Sequence, residues 1–491
     1  MSSPILFPYQ TFLSIDKNLK MPVYQQISNQ FVDLIKNGTL KSGQKILSSR
    51  VLSEILSVHR KTIIMALDEL LAQGWLETKQ GNGTFVTNNL PEIKPQKLIE
   101  KVPVFTKKAG FFYEKQPILQ RSVMQASNKL HLDDGFPDPR LAPLLDLSRA
   151  YRSNLLHGNS YVKLGYGDTK GSFWLRQELS KYLNESRGLR TSTENILIVR
   201  GTMMAMYLTI SAFVKRGDNV VLGEMSWSSA KMNFQYAGAN IITIPTDENG
   251  IMVDALAEIC EQQTIRLIYV TPHHDYPTTV TLKADRRIKL LNLAQKYGFI
   301  VFEDDYDYDF HYQNKPLLPL ASADEAGLVL YSGSFTKSIS PAFRVGYLVA
   351  SEEVIEHLSY FRRIIDRQGD LVLENAFAEL LQDGIIQKHL RKSLREYRTR
   401  RDFFCELLQH NLSNEISFQI PEGGMAVWAK FNPKIDLLKT ADNALRNGLY
   451  FSDGISHRLP VEKNNATRLG FASSNLEELE KCVAILKNSL V

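Results

Sequence analysis

Five residues within one stretch carry side chains that chemistry can use: Asp304, Tyr306, Ser334, Lys337 and Arg344. A buried lysine favours its neutral amine, which is a nucleophile. A carboxylate can hold a proton on a basic nitrogen that faces it. A serine hydroxyl beside an arginine fork suits a dianionic group. Two apolar runs must position these groups. Phe299-Ile300-Val301-Phe302 leads straight into Glu303-Asp304-Asp305-Tyr306-Asp307-Tyr308, and Leu328 to Tyr331 leads into Ser332-Gly333-Ser334-Phe335-Thr336-Lys337. Nearly all-apolar strands that each end in polar chemistry are the pattern of a buried parallel sheet. Ligands of such sheets lie at the carboxyl ends of the strands, so the five side chains are expected to meet in one crevice.

Other motifs fail on their partners. Ser334-x-x-Lys337 matches a serine-nucleophile motif that also needs Ser-Asp-Asn and Lys-Thr-Gly. The chain has Ser452-Asp453-Gly454 and Lys439-Thr440-Ala441 instead. A calcium loop starting at Asp305 would need glycine and glutamate where Phe310 and Pro316 stand. Cys260, Cys405 and Cys482 are scattered, and the adjacent His273 and His274 point apart on an extended chain, so no metal site is expected.

The order Asp-x-Tyr, Ser-x-x-Lys, Arg resembles the aspartate aminotransferase fold, fold type I of the pyridoxal enzymes. The resemblance implies pyridoxal 5'-phosphate as cofactor, with Lys337 as its catalytic Schiff-base lysine and Asp304 facing the pyridine nitrogen. Tyr306, Ser334 and Arg344 would complete its binding. Arg200-Gly201-Thr202-Met203 follows a strand, Asn195 to Val199, and opens a helix. A glycine there offers backbone N–H groups to a phosphate, although many strand–helix turns carry one. Trp227, beyond the strand Asn219 to Gly223, is the candidate to stack on the pyridoxal ring; a packed core or rim tryptophan is the alternative. Beyond Leu267 to Val270 the enzymes commonly have Asn-Pro-Thr-Gly, and this chain has Tyr276-Pro277-Thr278-Thr279. Tyr276 thus takes the cofactor-binding position. Pro421-Glu422-Gly423-Gly424-Met425 and Thr467-Arg468-Leu469-Gly470-Phe471 match a small C-terminal subdomain. Arg468 falls where the family binds a carboxylate, a role for a bidentate fork; a surface salt bridge is the alternative.

The first fifth of the chain reads differently. Residues 20–120 hold fourteen Lys/Arg against eight Asp/Glu, while the whole chain is only +5. A local basic excess is what a nucleic-acid contact needs, though solvated surfaces also carry it. Pro22 opens an amphipathic helix through Val23, Ile27, Phe31, Leu34 and Ile35 that Asn37-Gly38 closes. Ser48-Ser49 can cap a second helix carrying Leu52, Ile55 and Leu56. A third places Ile63, Ile64, Leu67, Leu70 and Leu71 on one face and begins His59-Arg60-Lys61-Thr62. Two strands then flank Gly81-Asn82-Gly83. Three helices and a hairpin make a winged helix-turn-helix, with a small helical dimerisation domain as the bland alternative. Ser48, Ser49, Arg50, His59, Arg60, Lys61, Thr62 and Gly83 are the candidate DNA-contacting residues. The runs Pro22 to Ile27, Ser48-Ser49-Arg50, Gly74-Trp75-Leu76 and Gly81 to Val86 resemble the GntR-type winged helix. Leu47, His59 and Lys61 depart from its usual residues.

A 491-residue chain, 44% apolar and 23% charged, is long enough for two or three domains with an ample core. No apolar run reaches membrane-spanning length and no signal-peptide pattern opens the chain, which points to the cytoplasm. The expected fold class is α/β: a winged helix over 20–88, a connector over 89–120 that is extended or packed along the surface, and a mostly parallel-sheet domain over 121–491. The pairing resembles the MocR/GabR regulators, and His274-Asp275-Tyr276-Pro277 sits where those tend to carry His-Gln-aromatic-Pro. The resemblance implies a homodimer, domain-swapped, that binds operator DNA and senses an amine or amino acid as an external aldimine. Turnover is expected to be slow or absent. A true aminotransferase with a DNA-binding appendage, or a regulator that senses pyridoxal phosphate itself, are the competing readings.

Overall fold

The computed structural model describes residues 7–89, 109–119, 130–159, 161, 164–312, 317–455 and 465–491. Most of the 89–120 connector and the boundary at residue 121 lie outside these. The chain divides into two compact units, Met1–Glu114 and Lys115–Val491.

In the first unit, helices Val23–Lys36, Ser49–Ile55 and Arg60–Ala72 precede an antiparallel hairpin of Leu76–Lys79 and Gly83–Val86. Ile27, Phe31, Leu34, Leu52, Ile63, Leu70, Trp75 and Val86 bury their side chains together. The third helix departs from expectation at one position: Ile64 is exposed, and Ala66 joins Ile63, Leu67 and Leu70 in the core. Positions 63, 66, 67 and 70 share one helical stripe, which residue 64 leaves by one step of 100°. A short helix upstream, Tyr9–Phe12, adds Tyr9 and Leu13 to this core. Ser48 caps the second helix through the Val51 N–H, and His59 caps the third by accepting the Lys61 N–H on Nδ1 at 3.2 Å.

The second unit is built on a seven-stranded sheet. Its order is Ile196–Val199, Gly346–Val349, Val329–Ser334, Ile300–Asp305, Leu267–Val270, Asn219–Gly223, Asn240–Ile244. Gly346–Val349 runs antiparallel to both neighbours, and the remaining pairs are parallel. Period-two alternation divides the strand side chains between two faces. Val220, Leu222, Leu267, Tyr269 and Phe302 pack against helices Thr202–Phe213 and Ser228–Tyr236. Val221, Ile268, Val270 and Val301 pack against Val253–Gln262 and Ala284–Tyr297 on the other. Each fully buried aliphatic side chain contributes about 1.5–3 kcal/mol, so the sheet is a rigid platform. A small antiparallel sheet of Ile416–Ser417, Ala426–Phe431 and Ala466–Gly470 lies with helices Ile385–Leu412 and Leu476–Ser489. Among the described residues, no helix is long and apolar enough to cross a membrane.

Candidate functional site

The carboxyl ends of the parallel strands open into a cleft of about 790 Å³, a volume that includes its mouth. Register explains the convergence. Asp304 pairs with Ser332 across adjacent parallel strands, so the segments beyond them, Asp305-Tyr306 and Ser334 to Lys337, leave the sheet side by side. Thr202, Trp227, Tyr276, Asp304, Tyr306, Ser334, Lys337, Arg344 and Arg468 all line this one cleft. Gly201 stands at its edge as the residue before helix Thr202–Phe213.

Lys337 extends its Nζ to the Gly135 carbonyl at 2.5 Å and lies 4.4 Å above the Phe136 ring. Burial holds its amine below the usual lysine range, against the pull of Asp134. Asp304, 4% exposed, accepts hydrogen bonds from the Tyr269 hydroxyl at 2.8 Å and the Thr202 hydroxyl at 3.2 Å. Among the described residues no basic side chain pairs with it, and burial pushes its carboxyl up to about 7. A buried carboxylate with two neutral donors and no cation is costly unless a positive group arrives from the cleft.

At the other end of the cleft, Arg344 takes φ +54°, a left-handed conformation that costs a residue with a Cβ about 1–2 kcal/mol. That turn carries its guanidinium back to the Arg200 carbonyl, 2.6 Å from Nη2. A Cβ on Gly201, itself at φ +79°, would come within 3.0 Å of the same Nη2. Arginine, helix N-terminus and the Ser334 hydroxyl thus surround space that only a glycine leaves open.

Trp227 packs at the edge of the apolar cluster and also lines the cleft. Tyr306 donates its hydroxyl to the His274 carbonyl at 2.7 Å. His273 and His274 diverge as expected, towards Asp305 at 3.6 Å and Asp307 at 2.7 Å. Arg468 is buried, not on the surface. Its Nε lies 2.9 Å from Asp134 Oδ1, and its Nη1 donates to the Pro277 carbonyl at 3.0 Å. Tyr276, joined to Pro277 by a cis peptide, donates its hydroxyl to Asp134 Oδ2 at 2.9 Å.

Asp134, Phe136, Met203, Tyr269 and Thr336 also line the cleft, and sequence reasoning did not single them out. Tyr269 sits within an apolar strand and reads as core. Thr336 stands inside the Ser-x-x-Lys interval, where proximity to Lys337 was the available signal. Asp134 belongs to an irregular loop whose partners are remote in sequence, and no local spacing announces it.

In the N-terminal unit, Ser48, Ser49 and Arg50 stand at the start of one helix and His59, Arg60, Lys61 and Thr62 at the start of the next. Ser49 Oγ accepts from Arg60 Nε at 3.4 Å, which ties the two starts together. Arg50 is exposed and 3.6 Å from Glu54, a loose surface pair. Gly83 opens the hairpin's second strand at φ +105°, and a Cβ there would crowd Lys45 Cε at 3.1 Å. Lys45 and Lys79 lie over the Phe85 ring at 5.8 and 5.1 Å, adding basic groups to the hairpin.

Winged helix and parallel-sheet unit together define a DNA-binding regulator that carries a transferase-type ligand domain. Residues 140–486 match the class I and II aminotransferases, and residues 23–86 match the bacterial regulatory proteins of the gntR family. The uncharacterized HTH-type transcriptional regulator YdfD of Bacillus subtilis is 30% identical over 95% of both chains. The probable rhizopine catabolism regulatory protein MocR of Rhizobium meliloti is 25% identical over 86% of this chain and 85% of its own. Among solved structures, the kynurenine aminotransferase of Pyrococcus horikoshii superposes with a TM-score of 0.71. It is 27% identical and covers 77% of this chain and 96% of its own. The chain belongs to the class I and II aminotransferase family, as a MocR-type transcription regulator with a gntR-type winged helix ahead of a pyridoxal-phosphate-dependent fold.

Proposed function

We propose that this regulator senses a primary amine or amino acid in the cleft beside Lys337 and alters its affinity for operator DNA in response. The observation that carries the reading is Asp304, a buried carboxylate without a cationic partner among the described residues, opposite a lysine whose amine burial keeps below its usual range. These residues fit pyridoxal phosphate. Arg344, Ser334 and the Gly201-Thr202 helix start would hold its phosphate, Asp304 its ring nitrogen, Trp227 and Tyr276 its ring, and Lys337 its aldehyde carbon. When bound, the cofactor supplies an aldehyde that exchanges one primary amine for another and a ring that withdraws electrons.

The chain's own groups do the rest. Asp304 keeps a proton on the facing nitrogen, and the Tyr269 and Thr202 hydroxyls fix the carboxylate's direction. Gly135 orients Lys337 Nζ through its carbonyl. On the DNA side, Arg60, Lys61 and Arg50 supply the charge that meets phosphates, and Thr62 and the serines supply hydroxyls. The regulator acts as a homodimer in the cytoplasm. Exposed Leu144, Leu145, Leu156 and Phe173, on helices packed against Leu371–Gln382, support a second copy over that face. Steady catalysis is disfavoured by Tyr276-Pro277-Thr278-Thr279 in place of Asn-Pro-Thr-Gly, with the Tyr276 hydroxyl spent on Asp134.

The test is the visible absorbance of the purified protein loaded with pyridoxal phosphate, recorded with and without amines. A ligand-dependent shift is expected. A spectrum indifferent to every primary amine would overturn the reading.

A further inference from the structure

Helix Ile385–Leu412 turns one face inward, where it is held in place. Ile386, Leu390, Tyr397, Phe404 and Leu408 are buried in the core of the second unit. His389 Nε2 donates to the Ser338 carbonyl at 2.7 Å, and Arg400 pairs with Asp138 at 2.8 Å. The opposite face carries Lys388, Arg391, Lys392, Arg395 and Arg398, all exposed. Neighbours in this set stand three or four residues apart, so the five cations share one stripe. From Lys388 to Arg398 it runs about 15 Å at the helical rise.

No acid opposes this charge. Among the described residues, none of the five side chains forms an ion pair or a hydrogen bond. The closest acids on the helix are already engaged, Glu396 by Arg400 at 3.1 Å and Asp402 by Arg401 at 2.6 Å. Outside residues 20–120 acids and bases nearly balance, so the stripe is a local concentration and not part of a generally basic surface. Like charges at these spacings destabilise a helix, and a polyanion laid along the stripe relieves the repulsion.

Duplex DNA is the polyanion that the same chain already brings close. The winged helix and the second unit are parts of one polypeptide, so DNA held by the first stands at a high effective concentration for the second. Each strand presents a phosphate about every 3.4 Å of axis, so a stripe of this length can meet about four. Lysine and arginine side chains on a fixed helix suit such contacts. We propose that the outer face of helix Ile385–Leu412 is a second DNA-contacting surface, which grips the phosphate backbone while the winged helix reads the sequence. The proposal rests on DNA binding by the winged helix and not on amine sensing, so either can fail alone.

The experiment uses the full-length, cofactor-loaded protein and an operator selected from random duplex DNA. The operator carries about 20 base pairs of flank on each side, two helical turns. In the native protein, acetylation of Lys388 and Lys392 is followed by peptide mass with and without saturating operator. Both amines should react several-fold more slowly on DNA, while the exposed Lys215 and Lys296 elsewhere in the unit keep their rates. A variant combining Arg391→Gln, Arg395→Gln and Arg398→Gln should flatten the dependence of log affinity on log salt by about 2–3 units, at ~0.9 per phosphate contact. A control combining Lys215→Gln, Arg216→Gln and Lys296→Gln removes the same charge and should flatten it by less than about one unit. Unchanged acetylation of Lys388 and Lys392 on operator would overturn the proposal, whether or not the variant folds. A folded variant with the native salt slope would overturn it too, as would a control that loses as much slope as the variant. A stripe that serves an acidic protein partner instead gives the first two of these negative results.

Discussion

Replacing Asp304 by asparagine separates a cofactor-binding role from a structural one, because the two roles move two measurements in opposite directions. In the protein without cofactor, burial raises the Asp304 carboxyl from 3.8 to about 7. The folded protein therefore keeps this proton across a window in which the unfolded chain releases it. Stability falls as pH rises from about 4 to about 7, and the loss is complete above that. A shift of this size corresponds to about 4 kcal/mol of destabilisation at pH 8. Asparagine keeps the shape and never ionises, but it loses an acceptor worth about 1 kcal/mol. Asp304→Asn should then stabilise the cofactor-free protein by about 3 kcal/mol at pH 8 and by nothing, or slightly less than nothing, below pH 4. Cofactor binding should respond the other way. A charge-assisted hydrogen bond worth about 1.5–3 kcal/mol is lost, which weakens affinity roughly 10- to 150-fold. Urea unfolding of the cofactor-free variant at pH 4 and pH 8, with a cofactor titration at pH 8, measures both. A variant that is less stable at pH 8 and binds pyridoxal phosphate as tightly as the native protein would refute the reasoning.

Lys337→Ala should abolish cofactor that borohydride fixes to the chain, detected as a mass increase on the intact protein; an adduct of the same mass in the variant would place the reactive amine elsewhere. Gly201→Ala puts a methyl 3.0 Å from Arg344 Nη2 at a backbone φ of +79°. It should weaken cofactor affinity at least about tenfold, and unchanged affinity would remove the helix start from the phosphate site. Arg50→Ala and Arg60→Ala should weaken binding to an operator selected from random duplex DNA, and a phosphate contact should flatten the salt dependence by about one unit of slope. Native affinity for both variants at several salt concentrations would move the recognition surface away from these helix starts. Phe31→Ala empties the core of the N-terminal unit, where Phe31 is fully buried. A loss of about 3–5 kcal/mol should abolish DNA binding and leave the cofactor bound, and loss of cofactor binding would contradict the division into two units that each hold a core of their own.

Local pattern made the sheet legible. Leu267–Val270 and Asn219–Gly223 are the strands that the apolar runs announce, residue for residue. The crevice at their ends was legible too, since strands that terminate in chemistry deliver it to one edge. What stayed hidden was whatever depends on remote pairing. Asp134 meets Arg468 and Tyr276 only because a loop from the start of the second unit folds over the sheet edge. Tyr269 was hidden for the opposite reason: an aromatic in an apolar strand reads as core, and only the fold turns its hydroxyl to Asp304. Ile64 misled because apolar residues crowd the third helix, and one that stands a step off the stripe carries no mark of exposure. His59 reads as a DNA contact, and its ring also caps the helix it begins, a role that local sequence seldom distinguishes.

The central claim is that the large unit retains its ligand in order to move a DNA-binding equilibrium. A shift from 1:99 to 99:1 between two states needs about 5.5 kcal/mol of differential ligand affinity. Rapid turnover would discharge the ligand that sustains it. The most direct measurement follows two quantities in one preparation as amine or amino acid is added: affinity for the selected operator, and release of the carbonyl product. Operator affinity should change with ligand over a concentration range in which product release stays slow or undetectable. Fast multiple-turnover release with operator affinity unaltered would contradict it, and would make the large unit an aminotransferase that happens to carry a DNA-binding domain.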